Sequence, residues 1–426
     1  MPHDDLIFRA LDVDQAREAG LAEPFVQAVL RGFHEDRADA AHVERWLRHG
    51  RADDMVMRGA WLAAPTLGSA DLPVATFASL AGEINVGGGA RLPAHLVTDV
   101  TVSPAHRRRG LLRRLMTDDL DDAVAKGRPL AALLVSEGTI YGRFGFGPAT
   151  RIRNVEVDTS SRFRLRAEAP TSEGRLELID PTEAGDIADA LFARLHETTR
   201  GSVARPDFYR MFVHEVLDWE TRSRDAKAHA CVLLGPDDRP EGYVLYRHDG
   251  DQDGRATVRV RDLLAADTAA YLRLWRFLAE IDLAERVTWN RGPIDDPLPW
   301  ALADPRAVRT ARESDLLWVR VLDVVTALEA RPWGADGAAV LDVDDTLGHA
   351  AGRWRVEVAD GAASVAHTDD PAGVHLDAET LGALYLGGVD TRTLATAGRL
   401  RGSSEALAAW AAMADVGPLP YCTTGF

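Results

Sequence analysis

The sequence of 426 residues is short of cysteine, of lysine and of positive charge in general. Its two cysteines, Cys231 and Cys422, lie far apart. They form neither a disulfide framework nor a metal-ligand pair, which points to a reduced, cytoplasmic protein. The histidines show no ligand spacing either, so no metal is expected. A net charge of −17 repels a polyanionic backbone over most of the surface. That excludes general nucleic-acid binding and leaves only a local basic site open. No run stays apolar for long enough to span a bilayer, so no membrane partner is expected. The opening MPHDDLIFRALDVDQ starts acidic and lacks the basic-then-apolar order of a secretory leader.

Apolar material is ample. Hydrophobic residues make up 46% of the chain, which at this length suits two or three cores. Segments of helical and strand periodicity alternate through residues 1–150, as in an α/β or α+β fold. HLVTDVTVSP, His95 to Pro104, reads as a strand ended by proline. GLLRRLMTDDLDDAVAKG has helical spacing at Leu111, Leu112, Leu115, Leu120 and Val124 and stops at Gly127, and PLAALLVS, Pro129 to Ser136, is the next strand. Strand, tight turn, helix, strand is a crossover unit. Residues 151–310 repeat this order, with helices around EAGDIADALFARLHETTRG and AAYLRLWRFLAEIDL and strands around HACVLLG, EGYVLYRHD and ATVRVRDLLA. There the step from strand to helix, VRVRDLLAADTAAYLRLW, contains no glycine, so the unit reads as a degenerate repeat. Residues 311–426 form a third unit of helices and short strands. No low-complexity linker separates the three.

One turn carries chemistry. Arg107, Arg108, Arg109, Gly110, Leu111, Leu112 and Arg113 lie where the helix opens. Free backbone N–H groups and the positive end of the helix dipole attract an anion there, and a glycine lets a phosphate approach the main chain. A solvated basic helix start would read the same way. With their flanks, SPAHRRRGLLRRLM and SEGTIYGRFGFGPAT, these residues resemble the pyrophosphate loop and following turn of the Eis (enhanced intracellular survival) family of GNAT N-acetyltransferases. Leu112 stands where the superfamily at large has a small residue, as it does in that branch.

The resemblance implies tandem GNAT-type domains, the second degenerate, followed by a sterol-carrier-like α/β domain, in a homohexamer. It implies acetyl-CoA as co-substrate and a primary amine of a cationic small molecule as acceptor, aminoglycosides first and lysine side chains or polyamines second. Val100, Thr101 and Val102 would meet pantetheine, Arg107 to Arg113 would wrap the pyrophosphate, and Ser136 and Glu137 would line the cleft. Tyr141 would protonate the departing thiolate. The α-carboxylate of Phe426 would be the base. At pKa ~3.5 against an amine at ~10.4, that carboxylate falls short by roughly 9 kcal/mol, so its expected task is to orient the ammonium and take its proton late. Phe33, Glu35, Asp36 and Trp46 would form the acceptor pocket; each also reads as surface charge or core aromatic. A rival of another class is a non-catalytic lipid carrier built on the third unit.

AVLDVDDTLG, ending at Gly348, matches the start of an aspartate-nucleophile phosphatase, with Asp342 and Asp344 as nucleophile and acid. Such enzymes also use a downstream lysine. Both lysines, Lys126 and Lys227, lie upstream, and too little chain follows for that fold. The expectation is a strand and turn of the third unit.

Overall fold

The structure, a computed structural model, describes residues 4–65, 71–218 and 221–426. Polar caps set the first boundaries. Strand β1 (Leu6–Asp12) gives way to α1 (Val13–Glu18) at Asp12, whose carboxylate accepts from the Gln15 amide in a capping box. Helices α2 (Ala22–Gly32) and α3 (Ala40–Ala52) follow, the second capped by Asp39. Strands β2 (Val56–Leu62), β3 (Ala75–Gly87) and β4 (Ala90–Val102) pair antiparallel in turn beside β1. Helix α4 (Leu111–Ala125) buries Leu111, Leu115, Met116, Leu120 and Ala123, a stripe at helical spacing. It returns the chain to β5 (Leu130–Leu134), parallel to β4. A short α5 (Gly138–Tyr141) and β6 (Gly147–Pro148) close this region.

The next region follows the same plan. It contains β7 (Arg151–Asp158), β8 (Arg175–Ile179), α6 (Gly185–Thr198), α7 (Arg210–Val213), β9 (Ala228–Leu234), β10 (Pro240–Gln252) and β11 (Arg255–Ala265). Then come α8 (Thr268–Ala279), β12 (Arg286–Gly292), α9 (Leu298–Ala301), β13 (Val308–Asp315) and β14 (Leu317–Val321). Strands β11 and β12 are parallel, as β4 and β5 are.

Sheet membership corrects the expected boundaries. The first sheet runs β1-β2-β3-β4-β5-β14-β6, and the second, read from its far edge, β8-β9-β10-β11-β12-β7-β13. Strand β7, which follows the first region directly, pairs with β12 and β13 of the second sheet. Strand β14, which follows the second region, pairs with β5 and β6 of the first. The first half thus takes one strand, β14, from beyond the second. A cut at 150 falls between β6 of the first sheet and β7 of the second, but one at 310 falls inside β13, and the third unit starts at α10 (Val324–Ala330), not at 311.

That unit holds β15 (Gly337–Asp344), β16 (Gly352–Ala359), β17 (Ala362–His367), β18 (Val374–Asp377), α11 (Ala378–Tyr385), α12 (Thr391–Thr396), β19 (Arg401–Gly402) and α13 (Ser404–Ala414), with strand order β17-β16-β15-β18-β19. Leu317 and Val319 of β14 share a buried cluster with Leu381, Leu384 and Tyr385 of α11. Full burial of each such leucine or valine contributes roughly 1.5–3 kcal/mol. Helix α11 also presses on β6 so closely that a Cβ at Gly147 would collide with the Glu379 carbonyl. The glycines after Tyr141 therefore serve helix packing. The DVDDTLG turn is structural as well. Asp345 forms a buried ion pair with Arg320 at 2.8 Å, and Asp342 faces His375 at 3.2 Å.

Candidate active site

Strands β4 and β5 pair only from Ala94↔Leu130 to Val97↔Leu133. Beyond that they part. A register shift against β3 falls between the partners Thr101 and Thr98, and Asp99 inside it has φ 54°. This bulge turns β4 away from β5. A cleft of about 250 Å³ fills the gap, with Val97 to Val100 on one wall and Leu133 to Ser136 and Tyr141 on the other. Backbone groups left unpaired along such a gap suit an amide-bearing chain laid in like an extra strand.

At the far end of β4 the chain turns into α4. Arg108 has φ 63° and Gly110 φ 80°, and no side chain caps the helix. A Cβ at Gly110 would meet nothing within 4 Å, so the glycine is required by its left-handed conformation and leaves the first amides open. Arg107, Arg108 and Arg113 are exposed beside them. This end fits a pyrophosphate. Arg109 is a correction: its guanidinium pairs with Asp5 at 2.5 Å. The side chains of Leu111 and Leu112 pack into the core under α4, so their contribution to an anion is limited to the backbone.

Thr101 also points elsewhere. Its side chain packs on Gly32 of α2, and its hydroxyl lies 2.6 Å from that of Thr76. Val100 and Val102 pack against the cluster beneath α4, with Val100 on the cleft wall. Ser136 lines the cleft, while Glu137 is exposed at the start of α5. Tyr141 is buried, and burial together with the Glu137 charge pushes its phenol above the usual range. It is therefore a protonated hydrogen-bond donor at neutral pH. The same desolvation raises the proton affinity of a thiolate formed beside it.

A second cavity of about 240 Å³ adjoins the cleft and shares Phe33, Thr98, Asp99 and Phe426 with it. Its walls are largely apolar. Val29, Leu30, Phe33 and Trp46 come from or follow the first helices, and Phe208, Met211, Phe212 and Leu217 come from the second half. Glu35 lies in the wall and pairs with Arg222 at 3.0 Å. Asp36 is a further correction: its side chain is not part of the lining, and its carbonyl accepts from Arg222 at 2.7 Å. Sequence reading missed Phe208, Met211, Phe212, Leu217, Asp218 and Arg222, which come from α7 and the short or irregular segments on either side of it, with no periodicity to mark them. It also missed Asp99, whose only signal was a charge within the apolar strand HLVTDVTV. Burial and the nearby Glu35 raise the Asp99 carboxyl to about 7.

Phe426, the last residue of the sequence, reaches this junction by a buried route. The Tyr421 amide donates to the Arg200 carbonyl at 2.8 Å, and the Tyr421 hydroxyl donates to the Arg291 carbonyl. Thr424 is fully buried and donates to the Val203 carbonyl at 2.7 Å. These contacts to the second half fix the tail. One metal-like group, Asp186, Asp189 and His214, occurs among the described residues, but none of the three lines either cavity.

Comparison with known proteins agrees with this architecture. Models described as acetyltransferase (GNAT) domain match residues 22–149 and 201–321, and a sterol carrier protein domain matches 324–423. The N-acetyltransferase Eis of Mycobacterium tuberculosis is 37% identical over 331 residues, 75% of this chain and 77% of that protein. A crystal structure of Eis1 from Mycobacterium abscessus superposes with a TM-score of 0.81 at 30% identity, covering 99% of this chain and 100% of that one.

The chain belongs to the Eis family of GNAT N-acetyltransferases. An uncharacterised N-acetyltransferase of Streptomyces avermitilis, 38% identical over 371 residues (85% of this chain and 88% of that protein), is a further relative. Membership in the Eis family makes the protein an acyltransferase with acetyl-CoA as co-substrate. Among the described residues no helix is long and apolar enough to cross a membrane.

Proposed function

We propose that this acetyltransferase acts in the cytoplasm on a primary amine of a cationic acceptor bound between its two halves. The observation that carries the reading is the shared wall. Donor cleft and acceptor pocket meet at Phe33, Thr98, Asp99 and Phe426, with Tyr141 opposite. Acetyl-CoA, when bound, supplies the acetyl thioester. Open amides at Gly110 to Leu112, with Arg107, Arg108 and Arg113, hold its pyrophosphate. The backbone at Val100 and the rim at Ser136 hold the pantetheine arm. Tyr141 donates a proton to the sulfur as the thiol leaves. The α-carboxylate of Phe426 orients the ammonium.

The Phe426 carboxylate favours a cation, and the aromatic faces of Phe33 and Trp46 suit one too, while Glu35 holds Arg222 in the wall. The apolar walls admit the reacting amine and its nearest carbons, while the hydroxylated rings of an aminoglycoside would stay at the mouth. Aminoglycosides are the leading acceptors because the family resemblance implies them; polyamines and lysine side chains come next. The assembly is a homohexamer on the same ground. The test is incubation with acetyl-CoA, a thiol reagent and a panel of such amines. Release of CoA with a cationic amine supports the proposal. No release with any amine, while CoA still binds, would favour a carrier role.

A further inference from the structure

We infer that the side chain of Asp99 is the proton acceptor for the incoming amine, an inference that rests on the amine-acetylation reading above. Among the described residues Asp99 is the acidic side chain common to the acceptor pocket and the donor cleft, and Phe426 lines both beside it. The backbone fixes Asp99 there. Its φ of 54° sits in the bulge where β4 leaves β5, and its carbonyl accepts from the Thr76 hydroxyl at 2.8 Å. A non-glycine residue held in that conformation is uncommon and is found where the surroundings over-determine it, often at functional sites.

The carboxyl itself is uncommitted. Glu35 pairs with Arg222, and Asp218 pairs with Arg247 at 2.8 Å. Asp99 is half-buried and has no hydrogen-bond partner for its carboxyl among the described residues. A carboxylate kept this way costs stability, and a purely structural one would be paired. The groups around it come from every neighbouring element. They are Glu35 after α2, His42 on α3, whose own proton affinity burial lowers, Asp218 and Arg222 of the second half, Tyr141 across the cleft, and Phe426.

At about 7, the proton affinity of Asp99 falls about three powers of ten short of a lysine-like amine, against about seven for an ordinary α-carboxylate. One ammonium proton passes to Asp99. The freed nitrogen lone pair bonds to the thioester carbonyl carbon, and the carbon–sulfur bond breaks. Tyr141 gives its phenolic proton to the sulfur and recovers one from the nitrogen. Asp99 then loses its proton to solvent, so that ammonium and thioester become amide, thiol and one released proton.

Asp99→Asn tests this, since asparagine tolerates the left-handed backbone and keeps the size. In the unaltered protein kcat/KM should rise with pH through an inflection near 7. The variant should lose that limb and about 100-fold in kcat, with CoA affinity by calorimetry unchanged. In ligand-free protein, carbon NMR of labelled aspartate should show a carboxyl titrating near 7 that is missing from the variant. A variant that keeps both the rate and the limb overturns the role of Asp99 and leaves amine acetylation standing. No CoA release by the unaltered protein overturns both. If the variant does not fold, Glu35→Gln should move the limb to lower pH by removing a neighbouring negative charge, and an unmoved limb overturns the inference.

Discussion

The two halves build the same crossover and finish it in opposite ways. In the first, β4 and β5 part and α4 begins at Gly110 with no side-chain cap. In the second, β11 and β12 likewise part after Val260↔Trp289, but α8 is capped by Asp267, whose carboxylate accepts from the Ala270 amide at 2.9 Å. One helix end keeps its amides for an outside anion; the other has its own anion built in. The spaces next to the strands differ as well. Beyond the paired part of β11, Asp262 is bound to Arg205 at 2.7 Å, and past Trp289 the Arg291 carbonyl accepts from Tyr421. The second half has exchanged a donor site for a grip on the tail that ends at Phe426.

That contrast can be broken from several directions. The largest effect is expected from adding a few residues after Phe426. The added peptide bond turns the carboxylate into a neutral amide and moves the new one beyond hydrogen-bond reach. Turnover should fall by about 10²-fold or more, with CoA affinity and melting temperature unchanged; the same residues added at Met1 should do little. Comparable steady-state rates for the two extended proteins would remove Phe426 from the site. Gly110→Val forces a β-branched residue to φ 80° at the donor loop. Calorimetry should show CoA bound about 10- to 100-fold more weakly, as the backbone shifts out of its anion-binding shape.

Tyr141→Phe should lower kcat by about 10²-fold while CoA affinity stays within a few-fold, because the phenol acts on the leaving sulfur and not on the ground state. Equal losses in both would make Tyr141 a packing residue. The smallest effect belongs to the other half. Asp267→Ala should cost about 1 kcal/mol of stability in a denaturant titration, with CoA still bound at one per chain. A second equivalent of CoA would show that the cap alone closes the degenerate half.

The contrast was partly visible in the sequence. The crossover around Arg107 to Met116 was legible because helical spacing, Gly127 and the apolar strand Leu130–Leu134 all act locally. The missing glycine before α8 correctly marked the second loop as different. The return of β14 to the first sheet was not legible. Residues 317–321 follow the second unit in sequence, and which sheet a strand joins depends here on a partner more than a hundred residues away. At Asp99 the alternation of HLVTDVTV is interrupted by a bulge, which has no compositional signature apart from the charge itself. The acceptor wall from Phe208 to Arg222 was hidden for a similar reason, since its residues gather by tertiary packing and not by spacing.

The return of β14 to the first sheet also bears on how the protein is made. During translation the first sheet emerges without its sixth strand, and the edge of β5 stays open until β14 at residues 317–321 has left the ribosome. Throughout that interval a buried-type strand, Leu130–Leu134, offers bare amides and carbonyls to any other nascent or misfolded chain. The turn bearing Tyr141 lacks its supporting helix α11 for longer still. The donor half is therefore completed late, and it is most exposed to chaperones, proteases and aggregation when it has been synthesised but the final third has not.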